Sequence, residues 1–345
     1  MPSCRRPDQI ALKTRVAKAR FTGPMAVLLF AAVATPAPKS VTAQALVLTA
    51  GVGKTTFFED EPIYLLVRLQ NVGTDTAWTY FFSLLSPAVT MSLSRGDGKP
   101  ADVAKPVVDH LVRPPWRGEP VPPGIKFLQT MVLQDIAGDE WDIRSHLLTH
   151  HLPPAQYELR VTFDAHGGVP GATPLTVEAA PIVFRIRERT IAEENELREL
   201  EAMRNMGWDT TRVDGTPRAA NYKPVLIRWV ERRWGDQPDD PFLPFLLYNG
   251  LYGAGQVLWR HIQAGEVQRF DPDTSEVVSG LRLAVLESQK LSIGGAYLLQ
   301  AISLRHPDQM AVLAEKLGAT PAGEMARAHV ERLLYGQQFK QQSPH

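Results

Sequence analysis

One stretch of the chain, residues 61–73, constrains the fold more than any other. Its apolar side chains occupy every second position: Ile63, Leu65, Val67 and Leu69. Because successive side chains of a β-strand point to opposite faces, these four share one face of an extended strand. The opposite face becomes polar along the strand, which then ends in turn-forming residues at 71–73. A strand with one apolar face must pack on a second layer, so we expect it in a layered β core.

Further strand-type stretches follow between residues 46 and 187. They are short, rich in aromatic and β-branched residues, and lie at 46–49, 76–82, 89–94, 127–133, 155–163 and 182–186. Residues 95–99, with the sequence RGDGK, have the composition of a hairpin turn. Short strands separated by turns are typical of antiparallel β-sandwiches. The sequence therefore predicts an antiparallel β-sandwich over residues 46–187.

Two segments of this region resemble the immunoglobulin-like modules of bacterial envelope proteins. The first runs from Glu61 to Asn71, and the second is LPPAQYEL at residues 152–159. Ala155 stands where those modules usually have glycine. The resemblance implies an immunoglobulin-like β-sandwich and no particular activity, because its motifs are structural. Modules of that kind more often bind, space or support than catalyse.

Helix signals replace strand signals after residue 187. Thr190 and Glu193 form a capping-box pattern, and Asp240, Ser292 and Thr320 each precede another apolar stretch with helical spacing. Residues 297–307 resemble the second helix of a tetratricopeptide unit, although the repeat period of that family does not recur. We expect an all-α domain of irregular helical hairpins at 188–340, with a protein-interaction surface, and a disordered tail at 341–345.

Residues 1–45 have the layout of a secretory signal peptide. A basic stretch precedes the apolar run at 25–34, and Ala-Gln-Ala follows at 43–45. The apolar run is about half the length that a membrane-spanning helix needs. We therefore expect a secreted or periplasmic protein without a transmembrane segment in the mature chain, with an uncleaved anchor as the alternative.

Charge is unevenly distributed between this leader and the rest of the chain. Seven of the 37 basic residues but only one of the 37 acidic residues lie at 1–45. The remainder is therefore net acidic, which argues against nucleic-acid binding, because that needs a basic surface. Cys4 is the only cysteine and lies in the leader, so we expect no disulfide and no thiol chemistry in the mature protein.

Histidines and acids near the middle of the chain are the candidate metal ligands. They are His146, His150, His151, Asp135 and Asp139. The two histidines four residues apart would share a helix face, as zinc ligands can, and the acidic stretch suits calcium. Leu147 stands where the His-Glu-x-x-His zinc hydrolases have their catalytic glutamate. Exposed loops explain both clusters without a metal. We therefore expect no cofactor, with calcium or zinc as the alternative.

Three aromatic side chains are the candidates for ligand contact: Trp78, Tyr80 and Trp116. Aromatic rings offer a large apolar surface on which sugar rings or peptide side chains can lie, so a carbohydrate- or peptide-binding sandwich is one alternative function. Such rings on a β-sandwich more often belong to the core or to the sheet face.

The sequence favours a non-enzymatic binding or scaffold protein outside the cytoplasm. We expect another envelope protein or a polymer as the partner, bound by the helical domain. A second alternative to this function is a metal-dependent hydrolase that uses His146 and His150. The chain lacks the G-x-S-x-G motif of serine hydrolases, and Leu48 stands at the first glycine of a would-be P-loop.

Overall fold

The alternating stretch forms β3, Tyr64–Asn71, which is the middle strand of a three-stranded sheet. The computed structural model describes residues 46–84, 86–98, 100–101, 119–135, 152–166, 175–208, 222–250, 276–305 and 307–342. These residues belong to one compact unit.

The described residues contain eleven strands, several of only two or three residues. They are β1 (Leu46–Val52), β2 (Thr56–Phe58), β3 (Tyr64–Asn71), β4 (Ala77–Thr79), β5 (Val89–Arg95), β6 (Pro100–Ala101), β7 (Glu119–Val121), β8 (Lys126–Val132), β9 (Ala155–Asp164), β10 (Thr176–Glu178) and β11 (Ile182–Arg187). A 310-helix, Leu133–Asp135, follows β8. The turn between β5 and β6 includes Gly98 at a φ of 78°, a conformation that glycine adopts without strain.

The strands form three sheets. Sheet A has the antiparallel order β1-β3-β8, with Leu48 opposite Leu69 and Leu65 opposite Met131. Sheet B has the order β2-β11-β9-β5-β6, with β10 added beside β9. Its strand pairs are antiparallel apart from β2 and β11, which run parallel. The third sheet pairs β4 with β7.

The predicted apolar face of β3 is confirmed as a core face. Leu65, Val67 and Leu69 are each 0% exposed, and we call this side of sheet A its inner face. It packs in one cluster with inward side chains of sheet B, such as Tyr157 and Phe163. Burial of a side chain of this size stabilises a fold by roughly 1.5–3 kcal/mol. Apolar packing therefore holds the two sheets together.

The described residues after position 190 form helices. They are α1 (Ile191–Trp208), α2 (Tyr222–Asp236), α3 (Phe242–Phe245), α4 (Glu276–Gln289), α5 (Ile293–Arg305), α6 (Met310–Leu317) and α7 (Pro321–Gln342). A π-helix, Leu246–Gly250, continues α3, and a 310-helix, Pro307–Gln309, precedes α6. Backbone N–H groups donate to the side-chain oxygens of three predicted caps: Thr190, Ser292 and Thr320. Within the described ranges, no helix has both the length and the apolarity for crossing a membrane.

Helices cover the side of sheet A that points away from sheet B. We call this side the outer face, and its residues are Tyr64, Leu66, Arg68, Gln70, Lys126, Leu128, Thr130 and Val132. The ring centres of Tyr64 and Tyr297 are 5.1 Å apart. Gln300 Oε1 accepts hydrogen bonds from Thr130 N and Thr130 Oγ1, both at 3.1 Å. Sheet A is thus the middle layer between sheet B and the helices.

The predicted fold class, an antiparallel immunoglobulin-like β-sandwich followed by an all-α helical-hairpin domain, is wrong. The described residues form a mixed α/β fold, in which sheets with one parallel strand pair curl like half a barrel and helices pack on sheet A. The error has a physical cause: the outer face of β3 has the polar pattern of a solvated face, yet helices from distant sequence positions cover it. The predicted division at residues 187 and 188 stays a prediction.

Candidate functional site

A cleft of about 520 Å³ lies where the end of β2, the start of α1 and the link between α2 and α3 meet. We call it the junction cleft. Its charged lining consists of four carboxyl groups and one guanidinium: Glu193, Glu196, Glu199, Asp240 and Arg233. Clefts of this size with a few converging polar groups are the usual setting of small-ligand sites. The junction cleft is therefore the candidate functional site.

The first turns of α1 form one wall of the junction cleft. Glu196 and Glu199 line the same wall because residues three apart share a helix face. The start of α1 is fixed by the predicted capping box: Thr190 N donates to Glu193 Oε2 at 2.7 Å, and Glu193 N donates to Thr190 Oγ1 at 3.4 Å. Arg187 donates to both carboxylate oxygens of Glu193, at 2.8 and 2.5 Å. These hydrogen bonds, that of Arg187 foremost, lower the pKa of Glu193 to about 2.

Arg233, near the end of α2, lies between two carboxyl groups at the centre of the cleft. Its Nε donates to Asp240 Oδ2, and its Nη2 forms an ion pair with Glu196 Oε1. Asp240 is held from other sides too, because its Oδ1 accepts a hydrogen bond from Phe242 N at 2.7 Å and its backbone oxygen accepts one from Gln289 Nε2 at 2.8 Å. The Asp240 side chain is only 1% exposed. One guanidinium thus serves two carboxyl groups.

Glu196 binds a proton more tightly than an ordinary glutamate does. Burial raises the pKa of Glu196 to about 7, and both the charge of Asp240 and a hydrogen bond with it act in the same direction. Arg233 opposes the shift without cancelling it. Since the ordinary pKa of this carboxyl group is 4.5, the shift leaves it partly protonated at neutral pH. A second cation in the cleft would stabilise its charged form.

The two remaining acids of the cleft have partners of their own. Arg187 binds Glu193, and Arg232 forms an ion pair with Glu199. Among the described residues of the cleft, the excess of carboxyl groups is therefore concentrated at Glu196 and Asp240. The arrangement can hold one proton or one further cation, and Glu196 can pass a proton to or from a bound molecule.

An apolar wall faces these charges. The ring centres of Phe58 and Phe242 are 6.1 Å apart, and the guanidinium carbon of Arg187 lies 5.7 Å from the Phe58 ring centre. Pro241 also lines this wall, and its backbone oxygen accepts a hydrogen bond from Tyr64 Oη at 2.5 Å. The outer face of sheet A therefore positions one wall of the junction cleft.

Trp78 and Tyr80, the two predicted ligand-binding residues whose side chains the structure describes, do not line the junction cleft. Trp78 in β4 is 43% exposed, whereas Tyr80, two residues later, is 4% exposed and lines a separate groove. Asp135 is the last residue of the 310-helix after β8. The others lie outside the described residues: Trp116, Asp139, His146, His150 and His151. The binding roles of all eight residues stay predictions.

A metal site is not visible in the part of the chain that the structure describes. There, no group of three or more His, Cys, Asp or Glu side chains is placed to hold a metal ion. Calcium or zinc at the predicted positions remains a prediction. The carboxyl pair of the junction cleft has Arg233 between its members, which is an organic cation in the place where a metal site would have its ion.

Sequence reasoning missed the three central residues of the cleft. Asp240 has the pattern of a helix cap, and its carboxylate does accept the Phe242 N–H. Glu196 belongs to the acidic side of α1, which has the pattern of a solvated face. These residues and Arg233 meet because α1 packs on α2, and no local motif records that contact.

The chain was compared with known proteins. No family model matches it, and no curated protein matches it. Among solved structures, the sporulation control protein Spo0M from Bacillus subtilis is 11% identical over 46% of this chain and 55% of its own, with a TM-score of 0.22. A structure named pT26-6p is 9% identical over 87% of this chain and 50% of its own, with a TM-score of 0.19. The chain thus spans about half the length of each, and similarities this weak carry no argument about fold or function.

Proposed function

We propose that this protein is a non-enzymatic, exported binding protein whose junction cleft accepts a cationic side chain of another envelope protein. The observation that carries this proposal is the sharing of one guanidinium, that of Arg233, between the carboxyl groups of Glu196 and Asp240. Export rests on the signal-peptide layout of residues 1–45.

Electrostatics supports a cation as the bound group. Two unit charges 4 Å apart attract by about 4 kcal/mol at an effective dielectric constant of 20, but desolvation consumes much of that gain. A charge-assisted hydrogen bond contributes about 1.5–3 kcal/mol net. In the junction cleft, an incoming ammonium or guanidinium takes the place of the proton on Glu196. It therefore binds a carboxyl group that burial has already desolvated in part.

The apolar wall supports a lysine or arginine side chain in particular. Such side chains bury their methylene stems along apolar surface while the charged end seeks a carboxylate. Phe58 and Pro241, both half-buried, offer that surface beside the carboxyl pair, and the buried Phe242 lies behind them. The cleft thus has one region for the stem and another for the charged end.

The binding proposal is tested by calorimetric titration of the mature chain with three blocked tripeptides. Their central residue is lysine, arginine or the uncharged norleucine. We expect the two cationic peptides to bind and norleucine to bind at least about tenfold more weakly, since about 1.4 kcal/mol corresponds to a factor of ten. Equal binding of all three peptides would contradict the proposal.

Variants assign the binding to the cleft. E196Q keeps the shape of the side chain and removes its charge, so we expect it to weaken lysine-peptide binding about tenfold. The matched control is E231Q, which makes the same change at an exposed position on α2 that does not line the cleft. A wild-type affinity in E196Q, or an equal loss in E231Q, would locate binding elsewhere.

The export proposal has a separate test. Cells that express the full chain with a C-terminal tag are fractionated, and the mass of the tagged protein is measured. We expect the protein outside the cytoplasm with the leader removed near residue 45. A full-length protein in the cytoplasm would contradict export and would leave the cleft chemistry untouched.

A further inference from the structure

A second groove, of about 390 Å³, opens on the outward side of sheet B and shares no described lining residue with the junction cleft. We call it the threonine groove. Its lining residues are Tyr80, Pro87, Ala88, Thr90, Thr162, Asp164 and Thr176. Its described lining includes three aliphatic hydroxyl groups and one carboxylate, and no basic side chain.

The polar groups of the threonine groove come from three neighbouring strands. Thr90 of β5 lies directly opposite Thr162 of β9. On the other side of β9, Thr176 of β10 lies directly opposite Asp164. Directly opposite residues have Cβ atoms about 4.5–5.5 Å apart, so the four side chains form a compact polar group on one face. Thr90 and Thr176 are exposed, and Thr162 is half-buried.

Hydrogen bonds fix the Asp164 carboxylate and the segment that carries Tyr80. Asp164 Oδ1 accepts a hydrogen bond from His166 N at 3.1 Å, which orients this carboxylate. Tyr80 N donates to Ala165 O at 2.6 Å, so the segment after β4 is fastened to the end of β9. Tyr80 is 4% exposed and forms a wall of the groove. The groove is thus supported by backbone contacts on two sides.

The ion pairs on this face of sheet B lie outside the threonine groove. Farther along β9, Arg160 forms ion pairs with Glu158 at 2.8 Å and with Glu178 at 3.6 Å. The ionic groups there bind one another, whereas the groove end presents hydroxyl groups. A hydroxyl group donates and accepts hydrogen bonds at once, and a carboxylate accepts several. Such a set complements a ligand that carries many hydroxyl groups and no charge.

We propose that the threonine groove is a binding site for a neutral saccharide. Vicinal sugar hydroxyls would bond to the carboxylate of Asp164 and to the hydroxyls of Thr90, Thr162 and Thr176. The apolar edge of the sugar would lie against the exposed Pro87. A phosphate or other anion is disfavoured, because the only formal charge in the described lining is that of Asp164. This site is independent of the junction cleft and of its proposed cationic ligand.

Saturation-transfer NMR on the mature chain tests the proposal. The probes are maltose, N,N′-diacetylchitobiose, methyl α-galactoside and methyl α-mannoside, each at millimolar concentration, with inorganic phosphate examined separately by ³¹P line broadening. We expect transfer to at least one saccharide and no broadening of phosphate. Absence of transfer to all four saccharides, or broadening of phosphate without saccharide transfer, would overturn the proposal.

Variants then assign the saccharide to the groove. T162V replaces a hydroxyl group by a methyl group of similar volume, and T90V makes the same change across the strand pair, so one variant serves where the other fails to fold. We expect either to weaken binding at least about fivefold, since a lost hydrogen bond contributes about 1 kcal/mol. The control is S94A, on the same side of β5 but outside the groove. Full binding by T162V and T90V would overturn the assignment. E196Q is expected to retain saccharide binding, which separates this test from that of the cleft.

Discussion

The two faces of sheet A hold the molecule together by different means. On the inner face, Leu65, Val67 and Leu69 meet sheet B through apolar contacts alone. On the outer face, the apolar packing of Tyr64, Leu128 and Val132 against the helices is joined by specific polar contacts. Arg68 and Lys126 both pair with Glu324, and Thr130 bonds to Gln300. Apolar packing is non-directional, whereas hydrogen bonds and ion pairs fix position. The outer face therefore sets where the helices lie, and with them the junction cleft.

The largest expected loss of stability comes from a substitution on the inner face. L65A removes a fully buried side chain and leaves a cavity, so we expect the free energy of unfolding to fall by about 2–5 kcal/mol. L66A, the neighbouring change at a half-buried position of the outer face, is the matched control and should lower the free energy of unfolding by clearly less. Urea unfolding of both variants gives the comparison. Equal losses would show that the two faces contribute alike.

The next effect concerns the cleft and depends on pH. The pKa of Glu196 is raised from 4.5 to about 7 in the folded protein, so between these values the folded state binds more protons than the unfolded chain. Stability therefore falls as the pH rises through this window, by up to roughly 3 kcal/mol at 1.36 kcal/mol per unit. E196Q should remove this part of the pH dependence.

Urea unfolding of wild type, E196Q and E231Q at several values between about pH 5 and 8 measures this dependence. Glu193 and Asp240 line the cleft with Glu196, and Arg233 forms an ion pair with it. None of these three residues is substituted, so all three proteins keep the same charged groups around position 196. We expect the slope to be kept in E231Q. A slope that survives in E196Q would assign the titration to another group.

A smaller effect is expected from removing the hydrogen bond that connects the outer face to the cleft wall. Y64F deletes the hydroxyl that donates to Pro241 O, so we expect a loss of about 1 kcal/mol in unfolding free energy. Because Pro241 belongs to the cleft wall, lysine-peptide binding should also weaken, by about twofold to threefold. The matched control is Y157F, which deletes the hydroxyl that donates to Pro153 O at 2.8 Å, away from the cleft. Equal effects of the two variants on peptide binding would show that the Tyr64 hydroxyl does not support the cleft specifically.

The contrast between the faces also explains what could be read from the sequence. The period-two pattern at residues 63–69 predicts the inner face, and caps such as Thr190 and Ser292 predict helix starts, because each signal lies within a few residues. The predicted fold class is wrong because the helices that cover the outer face come from distant parts of the sequence. There Tyr64 bonds to a residue 177 positions away and Arg68 to one 256 positions away.

The candidate site shows the same limit. Glu196 and Asp240 belong to segments whose local patterns indicate a polar helix face and a helix cap. Their shared guanidinium depends on the packing of α1 on α2, which a single sequence does not encode at any fixed spacing. The threonine groove could not be predicted from the sequence either, because its hydroxyl groups come from three strands that meet only in sheet B. Tyr80 was singled out for its aromatic ring, and the structure places it at that groove.

The proposed function requires that a cation and a proton compete for Glu196 in the junction cleft. Its most direct test is the affinity of the mature chain for the lysine tripeptide, measured by calorimetry from about pH 5.5 to 8.5, where the peptide ammonium stays charged. We expect the affinity to rise about tenfold as the pH passes through 7, and E196Q to show a weak, level affinity. A level profile in the wild type, or the same rise in E196Q, would contradict it.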